Sequence, residues 1–400
     1  MTTERPPQTE TEVVHTEVTQ ADVVVIGAGV VGSASAWRLA ERGLKVVVLE
    51  QSSPASGSTG RSAAGVRHQF ATDTNILLAQ HSIREYAAMP ESGYRPEGYL
   101  ILVPQKTWAE QQNAAEAQHR LGVPTEVLTP QEAQRYAEFR QDGLGGCTFC
   151  ATDGYLDPHG LTLEYVRRAR EAGAVFRLHS AVTAIGRVEH ATAPGNWQVQ
   201  TPRGTVQAPV LINAAGAWSG EVGALAGLDI PVGPARRMVF TTGPLDPRRQ
   251  VPMVFDLESG VWLRSEGDRV IIGRANPDDV GWKEGLDWDW LEPTLSAAME
   301  RFPWLETASL DRNASWWGYY EVTPDHQPIL GPMTGVGPGA AGWINACGFS
   351  GHGIMQAAAV ARIVAQMVVG ETPFIDVSAL QIGRFAEQNE GSARVVDLQV

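Results

Sequence analysis

The sequence predicts a mixed α/β (α+β) chain of two closely joined domains, one built on a parallel sheet and the other on an antiparallel one. Three observations predict it. Two β-branched runs, DVVVI at 22–26 and KVVVL at 45–49, flank a glycine-rich turn and a helical stretch. That is the pattern of a βαβ unit whose strands are buried on both faces. Between 221 and 317 the runs MVFTT, GVWLR and RVIIG alternate with turns, as in an antiparallel sheet. After 340 the first style returns, with a strand at GWINAC and an apolar helix from Gly353 to about Val369. The chain therefore leaves its first domain and comes back to it.

Residues 1–20 are polar, lack an apolar signal core, and read as a loose tail. Order is expected from Asp22. The helix after the glycine turn runs to Arg42, offers Ala34, Trp37 and Leu39 to a packed face, and is stopped by Gly43. Residues 51–65 hold too many Ser, Gly and Ala for a regular element and read as an extended loop. A helix over 72–90, a strand at 98–103 and a polar helix at 107–121 follow. Asp157 and Pro158 open another helix as N-cap and first-turn residue, and Gly173 closes it. Strands are expected near 174–188, 197–200 and 205–212, and tryptophans gather between 282 and 317. These elements divide the chain into a first domain (21–80, 145–220 and 318–385), a second, substrate-side domain (81–144 and 221–317), and a C-terminal tail (386–400).

A length of 400 residues suits two such domains better than one small core. The formal net charge of -14 argues against nucleic acid as a partner, because phosphate contacts need clustered Lys and Arg. It does not exclude an anionic small molecule, since one buried arginine reverses the local potential. Three cysteines, Cys147, Cys150 and Cys347, make no disulfide framework and point to a reducing cytoplasm. The C-x-x-C has no second pair to complete a zinc shell, so it reads as structural thiols and no metal site is expected. No window approaches the ~20 apolar residues of a membrane span.

Gly27-Ala28-Gly29-Val30-Val31-Gly32 follows a strand and opens a helix, and Glu50 ends the next strand 18 residues beyond Gly32. In such a turn the first glycine permits the bend, the second lets backbone approach a diphosphate, and the third lets helix and strand pack closely. The helix N-terminus faces the phosphates, and a carboxylate at Glu50 accepts ribose hydroxyls while repelling a 2′-phosphate. The loop Ser56-Gly57-Ser58-Thr59-Gly60-Arg61 is able to wrap a longer cofactor. VLINAAGAW at 210–218 ends a buried strand in small residues, as where backbone touches a ligand.

The chain resembles the superfamily of D-amino-acid, glycine and sarcosine oxidases over nearly everything after residue 21. The resemblance rests on GAGVVGSASAWRLAERG with Glu50, ASGSTGRSAAGVRHQF, NAAGAWS, TPDHQPILGP and GFSGHGI, in that order. It implies a Rossmann-like FAD-binding domain with an inserted antiparallel-sheet substrate domain. Beside the glycine motif, the cofactor set it implies takes Gln51, Ser58, Thr59, Gly60, Arg61, Ser62, Ala63, Gly65 and Val182. It continues with Ala214, Ala215, Gly216 and Trp218, and with Gly348, Phe349, Ser350, Gly351, His352, Gly353 and Ile354 before the final helix, with Asp325 in a neighbouring turn. Two positions at which relatives tether flavin covalently fall on Arg61 and Gly318, so non-covalent FAD is expected.

Flavin oxidation of an amine rests largely on positioning, and a fixed arginine is the best anchor for a carboxylate. Arg67 aligns with that anchor. A second carboxylate-binding lysine of the sarcosine oxidases is replaced by Met355, and a lysine implicated in oxygen activation falls near Ile271. The acceptor is therefore oxygen or another oxidant. Arg274 and Arg264 are further cations for a carboxylate, and Tyr320 and Trp262 candidates for packing round the amine. His68 reads as an orienting or surface residue, and His352 as a flavin or ligand contact. The implied activity is FAD-dependent oxidation of a small amino acid or N-methyl amino acid to an imine. A 2-hydroxyacid dehydrogenase of the same fold and a non-catalytic FAD-binding assembly factor are the alternatives. The oligomeric state stays open.

Overall fold

The computed structural model describes residues 18–190, 193–333 and 338–386. The tails expected at 1–20 and 386–400 lie outside these residues apart from 18–20 and 386. Order starts earlier than Asp22, because Val18–Gln20 is a short strand paired in parallel with Gly204–Ala208, Val18 opposite Thr205.

The first domain centres on a six-stranded sheet in the order Ile329–Pro332, Trp343–Cys347, Val210–Asn213, Val23–Ile26, Val46–Leu49, Val175–Arg177. All neighbours are parallel except the first pair. Every residue of Val23–Ile26 and Val46–Leu49 is buried, which is why these strands carry uninterrupted β-branched side chains rather than an alternation. One face is covered by the helices Val30–Ala40, Asp73–Ala87, Pro158–Glu171 and Gly353–Val368, which share a core with the sheet. The other face is covered by a four-stranded sheet that contributes Trp197, edge-on to Trp343 at 5.3 Å between ring centroids. The Pro158–Glu171 helix starts as its sequence dictates, with the Asp157 carboxylate accepting the His159 N–H at 2.9 Å.

The second domain is an eight-stranded sheet in the order Trp316–Val322, Gly233–Thr241, Arg269–Arg274, Val261–Glu266, Met253–Asp256, Tyr99–Pro104, Leu144–Cys150, Glu126–Leu128. It is antiparallel except where Met253–Asp256 runs beside Tyr99–Pro104. Leu144–Cys150 and Trp316–Val322 belong to this sheet, so the exchange points drawn at 145 and 318 cut through strands of the second domain, and we place them after 150 and after 322. The boundary drawn at 80 likewise falls inside the Asp73–Ala87 helix. The single strand expected over 174–188 divides in two, because Val175–Arg177 and Ala184–His190 join different sheets.

Cys147 and Cys150, three apart on one strand, point to opposite faces and sit in separate cores. They are therefore not a redox pair. Burial pushes both thiols up to about 12, and Cys347 is raised by the same cause. We expect none of the three to react with a disulfide reagent within minutes at pH 8, and all three to react after unfolding. Fast modification of one thiol in the native protein would contradict this packing.

Candidate active site

A cleft of about 500 Å³ opens where the parallel strands end and the second sheet begins. Its floor is the glycine turn. Gly27 has φ +103, and a Cβ there would lie 2.3 Å from the Ala214 carbonyl oxygen, so neither the conformation nor the space admits a side chain. A Cβ on Gly32 would lie 2.1 Å from the Gly27 carbonyl oxygen, which identifies its contact as helix against turn. Gly29 differs: its φ is -69, and an added Cβ would meet only the Thr59 hydroxyl, at 3.2 Å. Glu50 holds this turn in shape. Its carboxylate accepts the Ala28 N–H and the Ser52 N–H, each at 2.8 Å, and leaves lone pairs on both oxygens for ribose hydroxyls. The first amide of the helix is not bare, because Val30 N–H donates to Thr59 Oγ1 at 3.1 Å.

Of the residues implied for the cofactor, Gly27, Gly29, Val30, Val31, Glu50, Gln51, Ser58, Thr59 and Ser62 line this cleft. Val182, Ala214, Ala215, Gly216, Trp218, Gly351, Gly353 and Ile354 line it as well. Others sit behind the lining. Ala28 and Gly32 shape the turn, Gly60 packs on the Ala55 carbonyl, and Phe349 is a core residue. Gly348 donates its N–H to Glu321 Oε2 at 2.9 Å. Arg61, Ala63, Gly65, Ser350 and His352 border smaller chambers described below. The residues fit a dinucleotide on an observation of their own: the buried Ser58 hydroxyl, at the cleft wall, has no hydrogen-bond partner among the described residues. Asp325 does not reach the cleft. It is locked to Arg384 at 2.7 and 3.1 Å and anchors the turn.

Sequence reasoning missed Ser180, Ala181, Tyr319 and Glu321 on the cleft wall. No periodic signal would have found the last two, because the burial along Trp316–Val322 does not alternate and Tyr320 between them borders the cleft as well. Burial raises the Glu321 carboxyl to about 7 from 4.5, against N–H donation from Gly348 and Phe349. Its folded value lies above its unfolded one, so the stability it contributes is complete below pH 4.5 and is lost as pH rises through about 7. In FAD-stripped protein we expect wild type to lose on the order of 3 kcal/mol relative to Glu321→Gln across that window. Denaturant melts at several pH values test this, and a pH-independent difference would refute it.

Past Tyr320 the cleft meets a chamber of about 50 Å³ lined by Arg67, Tyr99, Trp262, Tyr320, His352 and Met355, among others. Four of the five side chains predicted to carry the chemistry, Arg67, Trp262, Tyr320 and His352, thus meet in one place. Arg67 is 1% exposed. It donates to the Gln69 carbonyl, lies 3.3 Å from His352 Nε2, and covers the Phe70 ring at 4.1 Å. Gly351, at φ +97, makes room for Tyr320: a Cβ there would lie 2.5 Å from its ring.

The remaining candidates fall elsewhere. Arg274 borders a neighbouring chamber instead, with Nε and Nη1 on the Ser259 and Pro293 carbonyls and its guanidinium over Trp290. Arg264 pairs with Glu266 and stacks on Tyr155, outside the chamber. His68, read as an orienting or surface residue, is buried: its N–H and Nδ1 both meet Asp153 Oδ1 at 2.7 Å, while Gln69 Nε2 donates to Oδ2. Asp153 therefore pins the backbone that carries Arg67.

Glycine turn, acidic strand end and a cleft between the two sheets together fit a dinucleotide-binding protein. Residues 22–367 match the family described as DAO, FAD dependent oxidoreductase, and the chain belongs to that family. It is 27% identical to mitochondrial sarcosine dehydrogenase of Mus musculus over 91% of this chain and 41% of that protein. It is 29% identical to mitochondrial dimethylglycine dehydrogenase of Homo sapiens over 92% of this chain and 45% of that protein, so it spans under half of either relative. Among solved structures, L-proline dehydrogenase from P. horikoshii matches with a TM-score of 0.84 and 27% identity, over 92% of this chain and 99% of that one. Glycine oxidase from Geobacillus kaustophilus shares the fold, with a TM-score of 0.77 and 23% identity over 92% and 99%. Among the described residues no helix is long and apolar enough to cross a membrane.

Proposed function

We propose that the chain oxidises a small amino acid or N-methyl amino acid of the glycine or sarcosine type. The glycine turn, Glu50 and the 56–62 loop would hold FAD, which would supply a two-electron acceptor with N5 as its hydride-accepting atom; the amine would leave as an imine that hydrolyses in water. The observation that carries this reading is the placement of Arg67: a buried guanidinium in a small chamber beside the start of the last helix, with aromatic rings for walls. A bidentate hold on the carboxylate fixes the C–H and the amine in one pose, and Tyr320 and Trp262 close the space around the nitrogen. No general base is needed if the amine reacts in its neutral form. The names of the sarcosine, dimethylglycine and proline dehydrogenases support the same substrate class.

Met355 and Ile271, at positions where a lysine would favour the sarcosine oxidase pattern, support an acceptor other than oxygen. Arg61 and Gly318 support non-covalent FAD. A Cβ on Gly318 would lie 2.9 Å from Arg61 Cβ, so the two possible tethering positions come together, and neither residue is a nucleophile. The 2-hydroxyacid alternative asks His352 to take a hydroxyl proton, but its Nε2 already faces Arg67 at 3.3 Å.

Anaerobic mixing of the yellow protein with N-methyl amino acids, D- and L-amino acids and 2-hydroxyacids tests the proposal. Bleaching of the flavin band by amines alone is expected. Bleaching by 2-hydroxyacids alone, or by nothing, would overturn it, the latter in favour of a non-catalytic FAD-binding assembly role. Slow recolouring in air is expected for a dehydrogenase.

A further inference from the structure

Beside the Arg67 chamber, and sharing Ser62, Ala63, Trp262 and Tyr320 with it, lies a second chamber of about 40 Å³. Arg61, Arg237 and Arg274 all line it, and among the described residues no Asp or Glu does. None of the three forms an ion pair among the described residues, in a chain with 45 acidic and 31 basic side chains. Arg236 is an internal control. Adjacent to Arg237 on the same strand, Arg236 points the other way, where its own Nε meets Asp279 Oδ2 at 2.7 Å and Asp287 stands at 3.4 Å. Among the described residues Arg237 makes no ion pair with an acid, and Asp279 acts on it only at a distance. Its Nη1 donates to the Arg236 carbonyl, its buried Nε has no hydrogen-bond partner among the described residues, and its guanidinium lies 5.2 Å from the Tyr320 ring centroid. Burial depresses its pKa more than distant Asp279 raises it, so an anion nearby would relieve a poorly compensated charge. The FAD diphosphate is not that anion: neither Arg237 nor Arg274 borders the dinucleotide cleft.

We propose that Arg61, Arg237 and Arg274 form a second anion subsite, and that the substrate is an amine bearing two carboxylates, one held by Arg67 and a distal one held by this cluster. The proposal rests on the amino-acid reading above, keeps Arg67 as the anchor of its carboxylate, and replaces glycine or sarcosine itself by an amino acid that bears a second carboxylate. Trp262 and Tyr320, common to both chambers, flank the carbon chain between the two anions.

The test uses FAD-loaded protein titrated with acetate, malonate, succinate and glutarate, followed by perturbation of the flavin absorption band. At least one dicarboxylate should bind ~10-fold or more tighter than acetate, the gain of one added charge-assisted contact. In Arg237→Gln the ratio of dicarboxylate to acetate affinity should collapse to within about twofold, and Arg237→Lys should restore part of it. Arg274→Gln serves the same purpose if Arg237→Gln fails to retain FAD. Equal binding of acetate and every dicarboxylate by wild type, or an equal loss of both in the variants, would overturn the subsite and leave the Arg67 reading standing. If no carboxylate perturbs the flavin, the amino-acid reading itself fails.

Discussion

Gly29→Val should give a protein that folds and melts nearly as wild-type apoprotein does, yet binds FAD at least ~100-fold more weakly. The expectation follows from what a side chain would meet at each of three glycines. At Gly27 and Gly32 it would press on backbone carbonyl oxygens at 2.3 and 2.1 Å, which cannot move without dismantling the strand–turn–helix junction. Substitution there should cost stability first and FAD second. At Gly29 the backbone is extended and the atom met is the end of a side chain, the Thr59 hydroxyl at 3.2 Å, which needs to give by only a few tenths of an ångström, so the fold loses far less there than a bound diphosphate would. A 100-fold rise in Kd corresponds to ~2.7 kcal/mol, a modest sum for lost backbone contacts to a doubly charged group. The ratio of flavin to protein absorbance, FAD titration of apoprotein, and melts with and without FAD separate the two effects. Full FAD affinity in Gly29→Val would mean that the diphosphate lies elsewhere.

The same contrast shows which parts of the molecule its sequence discloses. Val23–Ile26 and Val46–Leu49 are legible because strands buried on both faces leave no room for polar residues, and because the turn between them is local. The exchange points between domains are not legible for the opposite reason. Leu144–Cys150 finds its partner in Tyr99–Pro104, and Trp316–Val322 in Gly233–Thr241, so membership depends on pairings across some tens of residues. Val18–Gln20 escaped notice because its partner lies beyond residue 200 and its own side chains are mostly exposed. Arg67, Tyr320, Trp262 and His352 were legible as a group only through resemblance. Arg237 was hidden by Arg236, since a pair of adjacent arginines reads as one surface patch until strand alternation sends one to Asp279 and the other to Tyr320.

Arg67→Lys and Arg67→Met should separate the two duties of that arginine. As a structural group it donates to the Gln69 carbonyl inside a region pinned by Asp153, so either variant should lose about 1–3 kcal/mol of stability, a few degrees in Tm. As an anchor it is irreplaceable by a point charge, because only the planar fork holds both carboxylate oxygens in a fixed plane. With an amino-acid substrate, kcat/KM should fall ~10²–10³-fold in Arg67→Met, the equivalent of about 3–4 kcal/mol. Arg67→Lys should recover binding more than turnover, since charge restores attraction while the pose stays loose. KM would then approach that of wild type while kcat remains depressed. An amine of matched shape without a carboxylate supplies the decisive comparison: both variants should oxidise it about as slowly as wild type does. A stability defect alone would depress both substrates equally, and carboxylate binding by Arg67→Met at wild-type affinity would remove Arg67 from the site.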